Sequence, residues 1–265
     1  MKRKIERIGL FVKWFFASKT VHSAHSPFLY NFIKDVISNK KKPTHLDDVL
    51  NYRKEVLSDK SLIEVEDLGS GGQKQKIYKT NISKHAQNSL KSKAELRFFY
   101  NIINYLGVEK IIEFGSSFGV STMAMSRADS VAKIYTIEGS ENIYLYAQNA
   151  FKKMNAENIV AINANIDDVV KQKDYFSEKV DMVVIDANHT YDAVVKYTEF
   201  VKGLMSENSI LILDDIHWSK DMNKAWRKII EDECFTLSIE MWQMGILFTS
   251  TSFSKQNFKY RKLFL

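Results

Sequence analysis

The stretch IIEFGSSFGVST at residues 111–122 constrains this chain more than any other. A short apolar run ends at Glu113, Gly115 and Gly119 bracket a small polar turn, and a helical pattern follows. A second apolar run then ends in another acid, Glu138. A parallel α/β sheet builds a nucleotide site in this way: strand, glycine turn, helix, second strand, carboxylate for a ribose. The spacing is GxxxG and not the GxGxxG of a dinucleotide fingerprint, which disfavours a dehydrogenase. No GxxxxGK[ST] occurs, so a P-loop is not supported.

From about residue 93 the pattern alternates regularly between apolar runs and helical periodicity. It predicts helices at 94–106, after Gly119, at 141–153, briefly after Ile166, at 191–205 and at 220–232. Strands are predicted at 110–113, 133–138, 159–163, 181–186 and from 209. Two further strands, at 236–242 and 245–250, are separated by Gln243 and Met244 alone. So short a connection cannot cross over, so this pair must be an antiparallel hairpin. The fold class is α/β, with a Rossmann-like, seven-stranded, mostly parallel sheet closed by a C-terminal hairpin and preceded by an N-terminal helical cap. Residues 1–93 form the cap, with helices at 3–18, 27–38 and 46–57. A glycine-rich, flexible stretch at 66–76 reads as a linker or a flap. Residues 94–265 form the nucleotide-binding domain.

Ligands of open α/β sheets bind outside the carboxyl ends of the strands. Gly115 and Gly119 would let the backbone approach a ligand closely, and Ser116 offers a hydroxyl. The same glycines could serve only a tight strand–helix turn. Glu138, 19 positions after Gly119, can accept both hydroxyls of a ribose. Later strand ends carry IDANHTYDAV at 185–194 and ILDDIHW at 212–218.

Together these segments resemble the class I S-adenosylmethionine-dependent methyltransferases over about residues 94–250. EFGSSFG resembles their motif I. IDANHTYDAV is similar to the IDA/IDG-x-H-x-Y-x-x-V segment of the small-molecule O-methyltransferase branch. The resemblance implies S-adenosylmethionine as cofactor, with Glu113 receiving its amino group directly or through water. It places Glu138 at the ribose, Gly139 at the adenine border, Asn165 beside the adenine and Asp186 between cofactor and acceptor. Asn165 could equally cap a short helix. Relatives such as catechol O-methyltransferase hold a divalent metal through an Asp after strand four and Asp-Asn after strand five. The matching positions here are Asp186, Asp214 and Asp215, a set of oxygens suited to Mg²⁺. Asp215 departs from the usual Asn, and His189 stands where those enzymes carry a lysine. The alternative is that His189 or His217 acts as general base. A packing or helix-start role competes for His217. The implied activity is O-methylation of a small or lipid-like acceptor.

Charge is uneven. Residues 1–100 hold 20 Lys+Arg against 10 Asp+Glu, whereas residues 101–265 hold 18 against 22. A basic leading half can attract nucleic acid, which keeps a nucleic-acid methyltransferase as an alternative, or it can be a solvated surface. No Asn/Asp-Pro-Pro-Tyr/Phe follows strand four, which lowers that option. A non-catalytic module that keeps the nucleotide fold is the rival from another class. In the first helix Ile5, Ile8, Val12, Phe15 and Phe16 recur at helical spacing among basic residues. That stripe reads as packing on its own domain or on a second copy in a homodimer, with contact at a membrane surface as the minority reading. One cysteine, Cys234, excludes an internal disulfide and makes the cytoplasm the default location.

Overall fold

The computed structural model describes residues 2–67, 76–128, 132–172 and 175–264. In chain order the elements are α1 (Lys2–Ala17), α2 (Pro27–Phe32, continued by a π-turn at Ile33–Ile37), α3 (Asp47–Ser58), β1 (Leu62–Asp67), β2 (Lys76–Asn81), α4 (Ile82–Ser89) and α5 (Lys93–Leu106). The alternating part follows: β3 (Lys110–Phe114), α6 (Val120–Ser126), β4 (Lys133–Glu138), α7 (Glu141–Lys153), β5 (Ile159–Asn163), α8 (Ile166–Val169), β6 (Val180–Ile185), α9 (Tyr191–Lys202), β7 (Met205–Asp214), α10 (Lys220–Ile229), β8 (Leu237–Glu240), β9 (Met244–Phe248) and β10 (Gln256–Lys259).

The main sheet runs β10-β8-β9-β7-β6-β3-β4-β5. Strands β5, β4, β3, β6 and β7 are parallel, and β9 inserts antiparallel between β7 and β8. The seven expected strands are therefore present with the hairpin where the sequence put it. An eighth, β10, adds parallel to β8. It is tied to the start of the chain by the Lys19 amide, which donates to the Lys259 carbonyl at 2.8 Å. Alternate side chains of the central strands feed two cores. Ile111, Met182, Val184, Ile210 and Ile212 meet Phe32, Phe98 and Ile102 on one face. Ile112, Phe114, Val183, Leu211 and Leu213 meet Tyr197, Val201 and Trp226 on the other. Burial on both faces explains why these strands read as unbroken apolar runs. The order in which successive strands are added reverses between β3 and β6, which opens the crevice outside their carboxyl ends.

The N-terminal third departs most from expectation. Residues 62–67 and 76–81 form an antiparallel strand pair, Leu62 opposite Asn81 and Asp67 opposite Lys76, and α4 follows it. Glu66, Asp67 and Lys76, expected in a loop, belong to its strands, and the remainder of that loop, 68–75, lies outside the described residues. A third core joins Val49, Tyr52, Ile63 and Ala86 to Phe118, Val120 and Phe151, so this hairpin and its helices pack directly on the glycine-turn side of the sheet. On α1 the expected buried stripe is the exposed one: Ile5, Ile8, Val12, Phe15 and Phe16 face outward. The helix docks instead through Trp14, whose ring lies 5.6 Å from Trp242, and Phe11, 4.9 Å from the same ring.

Candidate active site

The turn after β3 owes its glycines to packing. Gly115 has φ +94°, and a Cβ there would overlap the carbonyl oxygen of Asp186 at the end of β6. Gly119 has φ +73°, and its Cβ would overlap the Phe151 ring on α7. Neighbouring strand and helix thus require these glycines whether or not a ligand approaches them. The Asp186 amide donates to the Phe114 carbonyl at 2.9 Å, so β3 and β6 are clamped where the turn begins. Ser116 is buried within it.

Glu113 does not face the crevice. Its carboxylate is 1% exposed and accepts hydroxyls from Ser121 at 2.7 Å, Thr136 at 2.6 Å and also Thr122. Burial raises its pKa, and the three hydroxyls oppose that rise. It therefore fastens the first turn of α6 to β4, with its oxygens taken up by these three hydroxyls. Glu138 is placed differently. It is half-buried at the end of β4, and its carboxylate accepts the amides of Ser117 and Ser140, each at 2.9 Å. Ser117 adopts φ +48°, which turns its amide inward toward the carboxylate. Gly139 follows Glu138 in the chain, and its carbonyl accepts Asn163 Nδ2 at 3.5 Å.

On the other side of the turn, the ends of β6 and β7 carry Asp186 and Asp214, and a residue that sequence reasoning missed lies between them. The Lys91 ammonium donates to Asp186 Oδ2 at 2.7 Å and to Asp214 Oδ2. Its side chain is 9% exposed and that of Asp214 is 8% exposed, so this is an ion group largely out of water. Burial disfavours the ammonium, but the two aspartates outweigh it and hold the Lys91 pKa above its ordinary value. Burial likewise works against the Asp214 carboxylate, and Lys91 overcomes it, so Asp214 stays ionised. At Asp186 burial dominates and pushes the carboxyl well up.

Three contacts fix Lys91. Ser92 and Glu95 form a capping box that starts α5, with the Ser92 amide 2.7 Å from the Glu95 carboxylate. Arg53 Nε on α3 donates to the Lys91 carbonyl at 2.8 Å. Ser89, at the end of α4, accepts the Ser117 hydroxyl at 3.0 Å. The segment joining α4 to α5 thus bridges the glycine turn and the aspartates. The only sequence signal for it was a lysine just before S-K-A-E, a capping-box spacing.

His189 lies beside this group, Nε2 3.8 Å from Asp186 Oδ1 and 4.0 Å from Asp215 Oδ2. Asp215 adopts φ +53°, and burial, reinforced by Asp214, lifts its pKa to about 6. The arrangement does not fit a divalent metal. A magnesium ion bridging Asp186 and Asp214 would need the oxygens that the ammonium holds, and its charge would stand against that of Lys91. Among the described residues no group of three or more His, Cys, Asp or Glu side chains is arranged to hold a metal ion. Of the three carboxylates expected to hold a metal, Asp186 and Asp214 hold the Lys91 ammonium.

Among known families, the one described as Methyltransferase domain matches residues 112–216. That match covers under half of the chain and states a likeness to the methyltransferase domain over residues 112–216. The match runs from the glycine turn through IDANHTY to Asp214, Asp215 and Ile216, so it takes in the crevice just described. The sequence matches none of the curated proteins. Solved structures place the fold. The Podospora anserina methyltransferase PaMTH1, SAH-bound, aligns with TM-score 0.60 at 15% identity over 84% of this chain and 96% of its own. The Bacillus cereus O-methyltransferase in complex with SAH gives 0.57 at 16%, over 83% and 96%. The O-methyltransferase TomG from Streptomyces achromogenes, in complex with SAM, gives 0.57 at 12%, over 79% and 91%. The likeness read from the motifs, to class I methyltransferases, is borne out.

Two expected site residues lie apart from the crevice chemistry. His217 is 3% exposed, stacks on Trp242 at 4.8 Å and 9°, has Nδ1 3.0 Å from Asn223 Nδ2 and Nε2 3.3 Å from Glu240. An imidazole enclosed in this way cannot reach an acceptor hydroxyl, so the base role is corrected to core packing beneath α1. Glu240, held by burial-opposing bonds from His217 and Trp226, sits at about 2. Asn165 caps α8 by accepting the Asp167 amide at 2.9 Å.

Proposed function

We propose that this chain transfers a methyl group from S-adenosylmethionine to an oxygen of a small or lipid-like acceptor. The observation that carries the reading is the division of the crevice about the glycine turn. One side presents a half-buried carboxylate, Glu138, aligned by two amides, and the other presents the buried ion group of Asp186, Asp214 and Lys91. We assign the ribose hydroxyls to Glu138, since a carboxylate has about four acceptor sites and can take a diol beside the amides it already accepts. Gly139, Ser116 and Gly115 line the path from ribose to methionine, and Asn165 stands at the adenine end with its amide nitrogen.

When bound, S-adenosylmethionine supplies a methyl already activated on a sulfonium. The protein's part is then to hold an oxygen nucleophile in line and to manage its proton, and positioning of this kind accounts for much of such an acceleration. His189 is half-buried beside Asp186 and Asp215 and is the group available to accept that proton. The solved relatives described as O-methyltransferases with bound SAH or SAM support both the donor and the oxygen specificity.

A lipid-like acceptor is favoured by α1, whose outward face carries Ile8 at 63% and Phe16 at 81% exposure. Five Lys or Arg against one Glu in the same helix suit an anionic bilayer surface. Among the described residues no helix is long and apolar enough to cross a membrane. Methyl-tritiated S-adenosylmethionine, incubated with the protein and a cell extract, tests the acceptor class. The expected result is label in the lipid or small-molecule fraction. Label confined to nucleic acid would move the assignment to the basic N-terminal third.

A further inference from the structure

The geometry points to Lys91 as a resident cation that takes the place of a divalent metal at the ends of β6 and β7, leaving the reaction of this site independent of one. The inference rests on the methyltransferase reading for its meaning, but its geometry does not. Two aspartates on adjacent parallel strands converge, and each turns an oxygen to the same point. Left alone, such a pair repels and must take up either a proton or a cation. Here a lysine from outside the sheet occupies that point. Its backbone is fixed by Arg53, by the Ser92–Glu95 box and, two residues earlier, by the Ser89–Ser117 contact. A surface lysine that swung in by chance would not be pinned from three elements.

The charge arithmetic agrees. Asp186, Asp214 and Asp215 with one ammonium, and with Glu95 and His189 close by, form a group in which a further divalent ion would meet Lys91 at contact distance. A divalent ion there would meet twice the repulsion that a second unit charge would. Metal entry would therefore require the ammonium to leave two buried carboxylates. Lys91 is thus a positioning residue: it holds Asp186 and Asp214 in register and places a positive charge next to the crevice, opposite in sign to the negative charge that an acceptor oxygen gains as it loses its proton. One oxygen of the group, Asp214 Oδ1, is buried without a hydrogen-bond partner.

The test uses Mn²⁺ as the probe, read by loss of the free-ion electron paramagnetic resonance signal, on the full chain and on Lys91→Ala. The parent is expected to leave the manganese signal undiminished and to show the same melting temperature with chelator or with added Mn²⁺. Lys91→Ala is expected to remove one manganese per chain from solution and to melt higher with the ion than without it. Uptake of one Mn²⁺ by the parent would overturn the inference, as would a folded Lys91→Ala that takes up none. If Lys91→Ala does not fold without metal, its recovery on adding Mn²⁺ supports the inference, and failure to recover counts against it. Titration with SAH in the same parent sample separates the two claims. Loss of SAH binding alone removes the methyltransferase reading and leaves the occupancy by Lys91 standing.

Discussion

Gly115→Ala separates the two explanations of the glycine turn. The residue has φ +94°, where a side chain costs about 1–3 kcal/mol in strain. The added methyl would also overlap the Asp186 carbonyl, a backbone atom held by the β3–β6 ladder that cannot swing aside as a side chain would. Overpacking of that kind costs typically 1–3 kcal/mol more. The sum, about 2–6 kcal/mol, is a large share of the roughly 5–15 kcal/mol that holds a typical domain folded. Gly107, at φ +66° with no atom within 4 Å of an added Cβ, is the control. Gly107→Ala carries the strain without the overlap. Urea unfolding followed by circular dichroism, without any cofactor, should give a clearly larger midpoint loss for Gly115→Ala than for Gly107→Ala, at unchanged slope. Equal losses in the two variants, with only cofactor affinity falling in Gly115→Ala, would refute the packing argument and restore the ligand as the reason for the glycine.

Three further outcomes follow from the site and the first helix. Asp215 titrates at about 6 in the fold against an ordinary 3.8, so folding favours its protonated form. Its stabilising contribution is complete below about pH 4 and is lost as pH rises through about 6. The melting temperature of Asp215→Asn relative to the parent should therefore climb across that window, and a flat difference would contradict the burial argument. His217→Gln should lower stability by loss of packing while leaving methyl transfer per folded molecule within about twofold, because a core residue changes abundance and not chemistry; a loss of a hundredfold or more, the scale of a missing general base, would reinstate the catalytic role. For α1, the parent should sediment with phosphatidylglycerol vesicles and Ile8→Glu/Phe16→Glu should not. A parent that stays in the supernatant, or a concentration-dependent mass that the double variant abolishes, would assign the face to something other than lipid.

The sheet was legible because its strands announce themselves twice, as apolar runs and through the acids that end them. Glu138, Asp186 and Asp214 each interrupt an apolar pattern at a strand end, and all three lie at the crevice. The hairpin was legible from a connection too short to cross over. Glu113 shows the limit of the same reasoning: a carboxylate at a strand end can turn inward when Ser121, Thr122 and Thr136 supply hydroxyls, and nothing in the local pattern distinguishes the two directions. His217 was misread for a related reason, since its partners Trp242, Asn223 and Glu240 come from other elements. Lys91 was invisible because its meaning depends on contacts more than ninety residues away in sequence. The hairpin β1–β2 is half exposed and polar, so its period was weak, and on α1 a docking face built on Trp14 and Phe11 was outweighed by a more numerous stripe that faces outward.

The central claim is that Glu138 and the turn before it form the donor site. Calorimetric titration of SAH into the parent and into Glu138→Ala tests it most directly. Saturable binding by the parent and a loss of at least about tenfold in the variant are predicted, the latter equivalent to the ~1.4 kcal/mol or more of a charged hydrogen bond to the ribose. A folded parent that binds neither SAH nor S-adenosylmethionine, or a Glu138→Ala that binds as tightly as the parent, would contradict it.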